Sequence, residues 1–301
     1  MDNIADESAR TFATRSDSAN ERYAMRARGE RSLHCCVLTE RRYLSQAQPR
    51  GLLRALAAAG HHVTLCDPQD ALLDLSESHW LDVDLVVARG RSTDLLARLS
   101  AAEAAGVPAL NSRSAIESVL DKAHMTARLH AAGIATPRTW IGSIEQVRRA
   151  IPRCAFPLIL KPVFGDNCRG IVIVETPAAL AAVTWSEPCV IVQCLLPSDG
   201  FDIKLYAMGG RVWAMRKQSA LHGATGAVAP SPLPLAAAWH ALALDCGALF
   251  GLQLFGVDCI EVDGALQVIE VNDFPNYSGV PDADFLLARH VAQYALARRH
   301  S

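Results

Sequence analysis

No uninterrupted apolar run in the 301 residues approaches the roughly 18 that a helix needs to cross a bilayer, and the first residues carry no signal-peptide core. The expected setting is therefore cytoplasmic, without a membrane partner. Charge of one sign is lacking too: 29 Lys and Arg stand against 31 Asp and Glu, a formal net charge of -2. That balance supplies no electrostatic footprint for a nucleic acid. The nine cysteines include no C-x-x-C pair, so zinc-type spacing is missing. Cys35, Cys36, Cys66, Cys189, Cys194 and Cys259 fall inside apolar, strand-like runs and read as buried free thiols. No G-x-G-x-x-G follows the first strand, which leaves a dinucleotide site unsupported. Residues 1–31 carry almost no aliphatic anchors and cannot repay the entropy of ordering, so a disordered tail is expected there. The acids in that tail argue against a mitochondrial presequence.

What is present is globular. Half of the chain is hydrophobic and a fifth charged, over a length that suits about two domains. From Leu33 strands alternate with helices: a strand at 33–38, a helix at about 49–59 closed by Gly60, and a strand at 62–66. A strand at 84–88, a helix at 92–105 stopped by Gly106 and a short strand at 107–110 follow. Such alternation implies a parallel sheet with helices on its faces. Its carboxyl ends carry Thr39-Glu40-Arg41-Arg42 and Arg89-Gly90-Arg91, which either hold an anionic substrate or are solvated loop charges.

The texture then changes. Asp121-Lys122-Ala123 opens a helix that runs to Ala132 and is closed by Gly133. A short strand at 156–161 ends in Lys161-Pro162, and a second apolar run begins at Ile171. The loop between them, Gly165-Asp166-Asn167-Cys168-Arg169-Gly170, has backbone amides suited to an anion, although a surface hairpin needs glycine as well. Residues 190–196 form another buried strand, at whose end a base would pair with backbone. Gly209-Gly210 is a two-residue hairpin turn that pairs Met208 with Arg211 and puts Asp202, Lys204 and Lys217 on one face. That face is either a site or an exposed sheet surface. The Gly- and Pro-rich residues 223–234 read as a mobile connection before a helix at 235–250.

The last hairpin, 257–272, turns at Asp263-Gly264. Asp258 and Glu270 sit in apolar strands, where an uncompensated carboxylate costs several kcal/mol. Strand alternation puts Glu270 and Asn272 on one face. An oxygen-lined Mg2+ site shared with substrate phosphates answers that cost; a structural acid pair is the other reading. A two-residue turn would place Asp258 opposite Ile269, on the wrong face for Glu270. The metal reading therefore requires a three-residue loop, Val262-Asp263-Gly264, with Gly264 left-handed.

Taken in order, Lys122, Lys161-Pro162, the glycine loop, the apolar strand, Asp202-x-Lys204, Asp258 and Glu270-x-Asn272 resemble the ATP-grasp superfamily, most closely the RimK-like carboxylate–amine ligases. The resemblance implies an α/β fold: a parallel-sheet pre-ATP-grasp domain over residues 32–118, then a two-lobed α+β ATP-grasp domain over 119–301. The lid lobe would cover about 135–193 and the C-terminal lobe about 194–298. It further implies that Lys122 and Lys161 reach ATP phosphates under a cover formed by Gly165, Asp166, Asn167, Arg169 and Gly170. The backbone of Gln193, Cys194, Leu195 and Leu196 would meet adenine, with Asp202 among the nucleotide contacts. Asp258, Glu270 and Asn272 would carry two Mg2+ ions, or Mn2+ in their place. Lys204, Arg216 and Lys217 would stabilise the transferring phosphoryl group or anchor the acceptor carboxylate. The implied reaction joins a small-molecule or peptide carboxylate to an amine through an acyl-phosphate; a homo-oligomer is compatible with it. The segment 272–279 also resembles inositol polyphosphate kinases of the same superfamily, so a small-molecule kinase and a catalytically silent ATP-binding protein are the alternatives.

Overall fold

The computed structural model describes residues 32–76, 82–165, 169–219, 221 and 228–299. The expectation for the 1–31 tail lies outside them. By contacts the chain divides into two compact units, one running to Arg113 and resuming at Asn276, the other spanning Ser114–Pro275. The C-terminal helix thus groups with the first sheet instead of continuing the second unit.

In the first unit, strands β1 (His34–Thr39), β2 (His62–Cys66), β3 (Leu85–Arg89) and β4 (Ala109–Leu110) make a parallel sheet in the order β2-β1-β3-β4. β1 and β3 are buried almost throughout, as central parallel strands are. Local signals set the helices. Ser92 caps Thr93–Ala104 by accepting from the Leu95 amide, and the helix ends two residues before Gly106, which has φ +82°. In Ala47–Ala58 the backbone is non-helical at Gln48, whose side chain accepts from the Leu52 amide at 3.0 Å. The arginines after the strands are tied down within the unit. Arg41 pairs with Asp67 at 2.8 Å and Asp70 at 2.5 Å, and Arg42 with Glu40 at 2.7 Å. Arg89 is buried, donates to Gln46 at 2.7 Å and Asn276 at 2.9 Å, and lies 4.7 Å from the Tyr43 ring centre. The C-terminal helix Ala283–Arg299 packs on Ala47–Ala58, where Asp284 accepts from Gln48 at 2.6 Å.

The second unit holds two antiparallel sheets. β5 (Thr139–Gly142), β6 (Leu158–Lys161), β7 (Val172–Val174) and β8 (Val190–Cys194) are ordered β5-β8-β6-β7. β9 (Phe201–Met208), β10 (Arg211–Gln218), β11 (Ser231–Leu233), β12 (Leu254–Val262) and β13 (Ala265–Asp273) are ordered β11-β10-β9-β12-β13. Helix Lys122–Ala131 starts where expected, its N-cap Asp121 accepting from the Ala123 and His124 amides. One face of the five-stranded sheet is core: Ile203, Leu205, Ala214, Val257, Cys259, Val268 and Val271 pack on helices through Val119, Met125, Leu129, Ala243, Cys246 and Phe250. Gly247 lets helix Ala237–Phe250 approach β12, since a Cβ there would lie 2.6 Å from the Phe255 ring.

Three expectations change here. Part of the presumed mobile connection, Ser231–Leu233, is the edge strand β11 on β10; Pro232 is tolerated because an edge strand can spare a donor. Cys189 is exposed, as is Cys154, and Cys66 and Cys194 are only part-buried, while Cys35, Cys36, Cys246 and Cys259 are buried thiols. Finally, the Asp263-Gly264 turn has two residues, because Val262 pairs with Ala265 and both turn residues have positive φ, 52° and 80°. An Asp-Gly pair suits that turn type. The odd residue sits in the strand instead: Cys259 pairs with Val268 and Asp258 with Glu270, leaving Ile269 as a bulge. Among the described residues, no helix is long and apolar enough to cross a membrane.

Candidate active site

The face of the five-stranded sheet opposite its core is built by simple alternation. Lys217 pairs with Asp202, Met215 with Lys204, Asp258 with Lys204 on the other side, and Asp258 with Glu270. Cross-strand partners point the same way, so these charges and Asn272, two residues beyond Glu270, share the face. They line a cavity of about 450 Å³ within the second unit. The smaller sheet supplies the opposite wall by the same rule. Ile159 and Lys161 on β6 and Ile191 and Gln193 on β8 are i, i+2 pairs facing the cavity, while Leu158, Leu160, Val190 and Val192 face the lobe's own core. Helix Lys122–Ala131 adds Lys122, Met125 and Thr126, spaced i, i+3, i+4 on one face.

The charges interlock. Lys122 Nζ donates to Glu270 Oε1 through a short contact and to the Gly165 carbonyl at 3.1 Å. Lys204 Nζ pairs with Asp258 Oδ2 at 2.7 Å, and Asn272 Nδ2 donates to the same oxygen at 3.3 Å. Burial alone would lower the Lys204 pKa, but the charge and hydrogen bond of Asp258 outweigh it and hold the ammonium above its ordinary value. Burial pushes the neighbouring Tyr206 hydroxyl up to about 12. Lys161 Nζ donates to Gln193 Oε1 at 2.8 Å.

The cavity therefore gathers Lys122, Lys161, Gly165, Arg169, Gln193, Asp202, Lys204, Lys217, Asp258, Glu270 and Asn272. Asp166 and Asn167 lie outside the described residues. Gly170 has φ +73° beside Pro162 but does not line the cavity. Cys194, Leu195 and Leu196 are not on its wall either, and the Cys194 and Leu195 amides already donate to Arg138 O at 3.0 Å and Pro157 O at 2.9 Å. At Gln193 the side chain, not the backbone, meets the cavity's polar groups. Arg216 is also elsewhere. It pairs with Ile203 on the core side of the sheet, bonds Asp199 at 2.7 Å and stacks on Phe201 at 3.6 Å. Sequence reasoning missed the isoleucines Ile159, Ile171, Ile191 and Ile269; for Ile159 and Ile191 the signal was there, in their i, i+2 relation to Lys161 and Gln193.

Two carboxylates and an amide oxygen on adjacent strands form an all-oxygen donor set, as Mg2+ prefers. Among the described residues no group of three His, Cys, Asp or Glu side chains is placed to hold an ion. Asp258, Glu270 and Asn272 by themselves would supply part of a coordination shell, the rest coming from water and substrate phosphates. These residues fit the metal.

A sequence profile of the RimK-like ATP-grasp domain matches residues 119–294, more than half of the chain. The chain belongs to the RimK-like ATP-grasp family. The matched stretch contains every cavity residue named above. Over 256 residues the chain is 27% identical to a probable alpha-L-glutamate ligase of Pasteurella multocida, covering 74% of this chain and 82% of that protein. The fold is similar to that of a RimK domain ATP-grasp protein from Sphaerobacter thermophilus, at a TM-score of 0.70 with 23% identity, over 86% of this chain and 99% of the other. It is also similar to the ATP-grasp ligase PsnB, solved with a minimal precursor, Mg and ADP, at a TM-score of 0.64 with 20% identity, over 89% and 98%. This RimK-like member shares with them the fold of a parallel-sheet unit followed by two antiparallel lobes.

Proposed function

We propose that this chain is an ATP-dependent carboxylate–amine ligase. The observation that carries the reading is the convergence of Lys122, Lys161, Lys204 and Lys217 with Asp258, Glu270 and Asn272 on one cavity. Family membership supports a nucleotide-binding role for that cavity, and the glutamate ligase and PsnB likenesses support carboxylate–amine chemistry with ATP and Mg2+. The substrate carboxylate attacks the γ-phosphorus of ATP and ADP leaves; the resulting acyl-phosphate is attacked by an amine, which displaces phosphate and gives an amide.

The residues divide that work. Lys122 and Lys161 carry positive charge to the phosphates, beside the Gly165 and Arg169 ends of the glycine loop. Isoleucines 159, 171, 191 and 269 offer an apolar lining for the base. Asp258, Glu270 and Asn272 would hold two Mg2+ ions, with Mn2+ as a substitute, and metal held there would supply positive charge against the phosphates. Lys204 and Lys217 face the same space and stabilise the charge of the group in transfer, since phosphoryl transfer is catalysed chiefly by positioning and cations. For Lys122 and Lys204 this means exchanging a carboxylate for a phosphate partner when Mg2+ and nucleotide enter. The glutamate ligase likeness makes L-glutamate the first amine to supply.

The test is interception of the acyl-phosphate. With ATP, Mg2+ and a panel of amino acids, peptides and carboxylate metabolites, hydroxylamine in place of the amine should yield a hydroxamate in step with ADP, and Glu270→Gln should abolish it. Formation of phosphate esters alone, whatever acid is supplied, would replace the ligase with a kinase.

A further inference from the structure

The smaller sheet carries a hydrogen-bond chain that points at one cavity lysine. Thr139 Oγ1 donates to the Pro137 carbonyl at 2.7 Å, Gln193 Nε2 donates to Thr139 Oγ1 at 3.0 Å, and Lys161 Nζ donates to Gln193 Oε1 at 2.8 Å. Its direction is dictated by chemistry. The Pro137 carbonyl only accepts, so the Thr139 proton goes there and its oxygen is left to accept. An ammonium only donates, so Lys161 selects the oxygen of the Gln193 amide and turns the NH2 toward Thr139. No member can rotate without setting donor against donor or acceptor against acceptor. The register builds this in: Thr139 and Gln193 are cross-strand partners on β5 and β8, and Lys161 stands on β6, paired with Ile191 two residues from Gln193. Gln193 is 3% and Lys161 8% exposed, so the bond between them is buried, while the two bonds of Thr139 are part-buried.

We propose that Thr139 and Gln193 are positioning residues for Lys161, holding its ammonium toward the cavity for the phosphates of the nucleotide. This rests on the nucleotide reading above. An amide oxygen suits the task because it orients the ammonium through a hydrogen bond while bringing no opposite charge of its own. A carboxylate in the same place would form an ion pair that a phosphate must displace. Thr139 does not line the cavity; its influence passes through Gln193 alone. Neither residue is needed as a proton carrier.

The experiment measures binding of ATP with Mg2+, and of adenosine, which carries no phosphate, to the full chain and its variants by calorimetry. Thr139→Val keeps the shape, removes the acceptor for Gln193 and should weaken ATP about fivefold, the worth of roughly one net hydrogen bond. Adenosine affinity should stay within twofold. Thr139→Ser restores the hydroxyl and should restore ATP affinity. Gln193→Glu should weaken ATP tenfold or more while leaving the thermal midpoint of the unliganded protein unchanged or higher. A structural role alone would weaken ATP and adenosine together and would overturn the proposal, as would a Thr139→Val protein that binds ATP like wild type while Lys161→Ala does not. If wild type and Lys161→Ala are alike in failing to bind ATP, the nucleotide reading itself falls, and this assignment with it.

Discussion

Asp258 stands directly across its hairpin from Glu270, and it does so because Ile269 is an extra residue in the second strand. With a two-residue turn, an unbroken ladder would put Ile269 opposite Asp258 and send Glu270 to the core side. The bulge absorbs one residue and keeps both carboxylates on the cavity face beside Asn272. Bulges are over-represented next to active sites, where the extra residue re-aims a side chain.

The turn that precedes the bulge should be sensitive to its backbone. Gly264 has φ +80° with nothing within 4 Å of an added Cβ. Gly264→Ala should therefore lower stability by about 1 kcal/mol through conformation alone. Asp263→Asn, which tolerates the same left-handed conformation, should be neutral. Denaturant unfolding of the two variants checks this, and equal losses would contradict it.

The pairing of Lys204 with Asp258 carries a pH signature. Asp258→Asn leaves a buried ammonium without its carboxylate and should cost about 3 kcal/mol. Because the folded pKa of Lys204 lies above its ordinary 10.5, the stabilisation is fully present below the unfolded pKa and is lost as pH rises through the folded value. The stability difference between wild type and Asp258→Asn should shrink as pH rises, beginning below 10.5 because burial lowers the Lys204 pKa once Asp258 is gone, and continuing above it as the wild-type pairing is lost. A difference unchanged at pH 11 would mean that Lys204 is not the titrating partner.

Arg216 and Lys217 are neighbours in sequence and opposites in space. Arg216→Ala breaks an exposed ion pair with Asp199 and should alter stability by less than about 1 kcal/mol, leaving ATP and Mg2+ binding intact. Lys217→Ala removes a charge from the cavity face and should weaken ATP about tenfold. Calorimetric titration of both variants separates the roles; the reverse order of effects would place the site on the wrong side of the sheet.

Nucleotide binding itself is tested at Lys161. For wild type, ATP at 100 times its dissociation constant should add about 2.7 kcal/mol of stability. Lys161→Ala should lose that gain while remaining folded without ligand. A mutant with the full thermal shift would remove Lys161 from the phosphate site.

Much of this protein was written locally. Alternating and unbroken apolar runs located most strands, Ser92, Asp121, Gly106 and Gly133 bounded helices, and Gly209-Gly210 set a hairpin register that the structure keeps. The chemical identities were legible as well: lysines, acids and an asparagine in the order of a RimK-like ATP-grasp site. These signals are local because caps, turns and side-chain alternation act over a few residues. What only the tertiary structure decided is which of those residues meet. The Asp263-Gly264 turn says how the hairpin starts, but the packing of Val268 and Val271 in the core decides where its ladder skips a residue. Residues 194–196 read as an adenine edge in the sequence, and only the fold shows that the Cys194 and Leu195 amides donate to the carbonyls of Arg138 and Pro157. Arg216 and Lys217 look alike in the chain; the pleat sends one to Asp199 and the other to the cavity. Gln193 gains its meaning only when Thr139 and Lys161 arrive on neighbouring strands, because an amide's orientation is set by its partners, and those come from far along the chain.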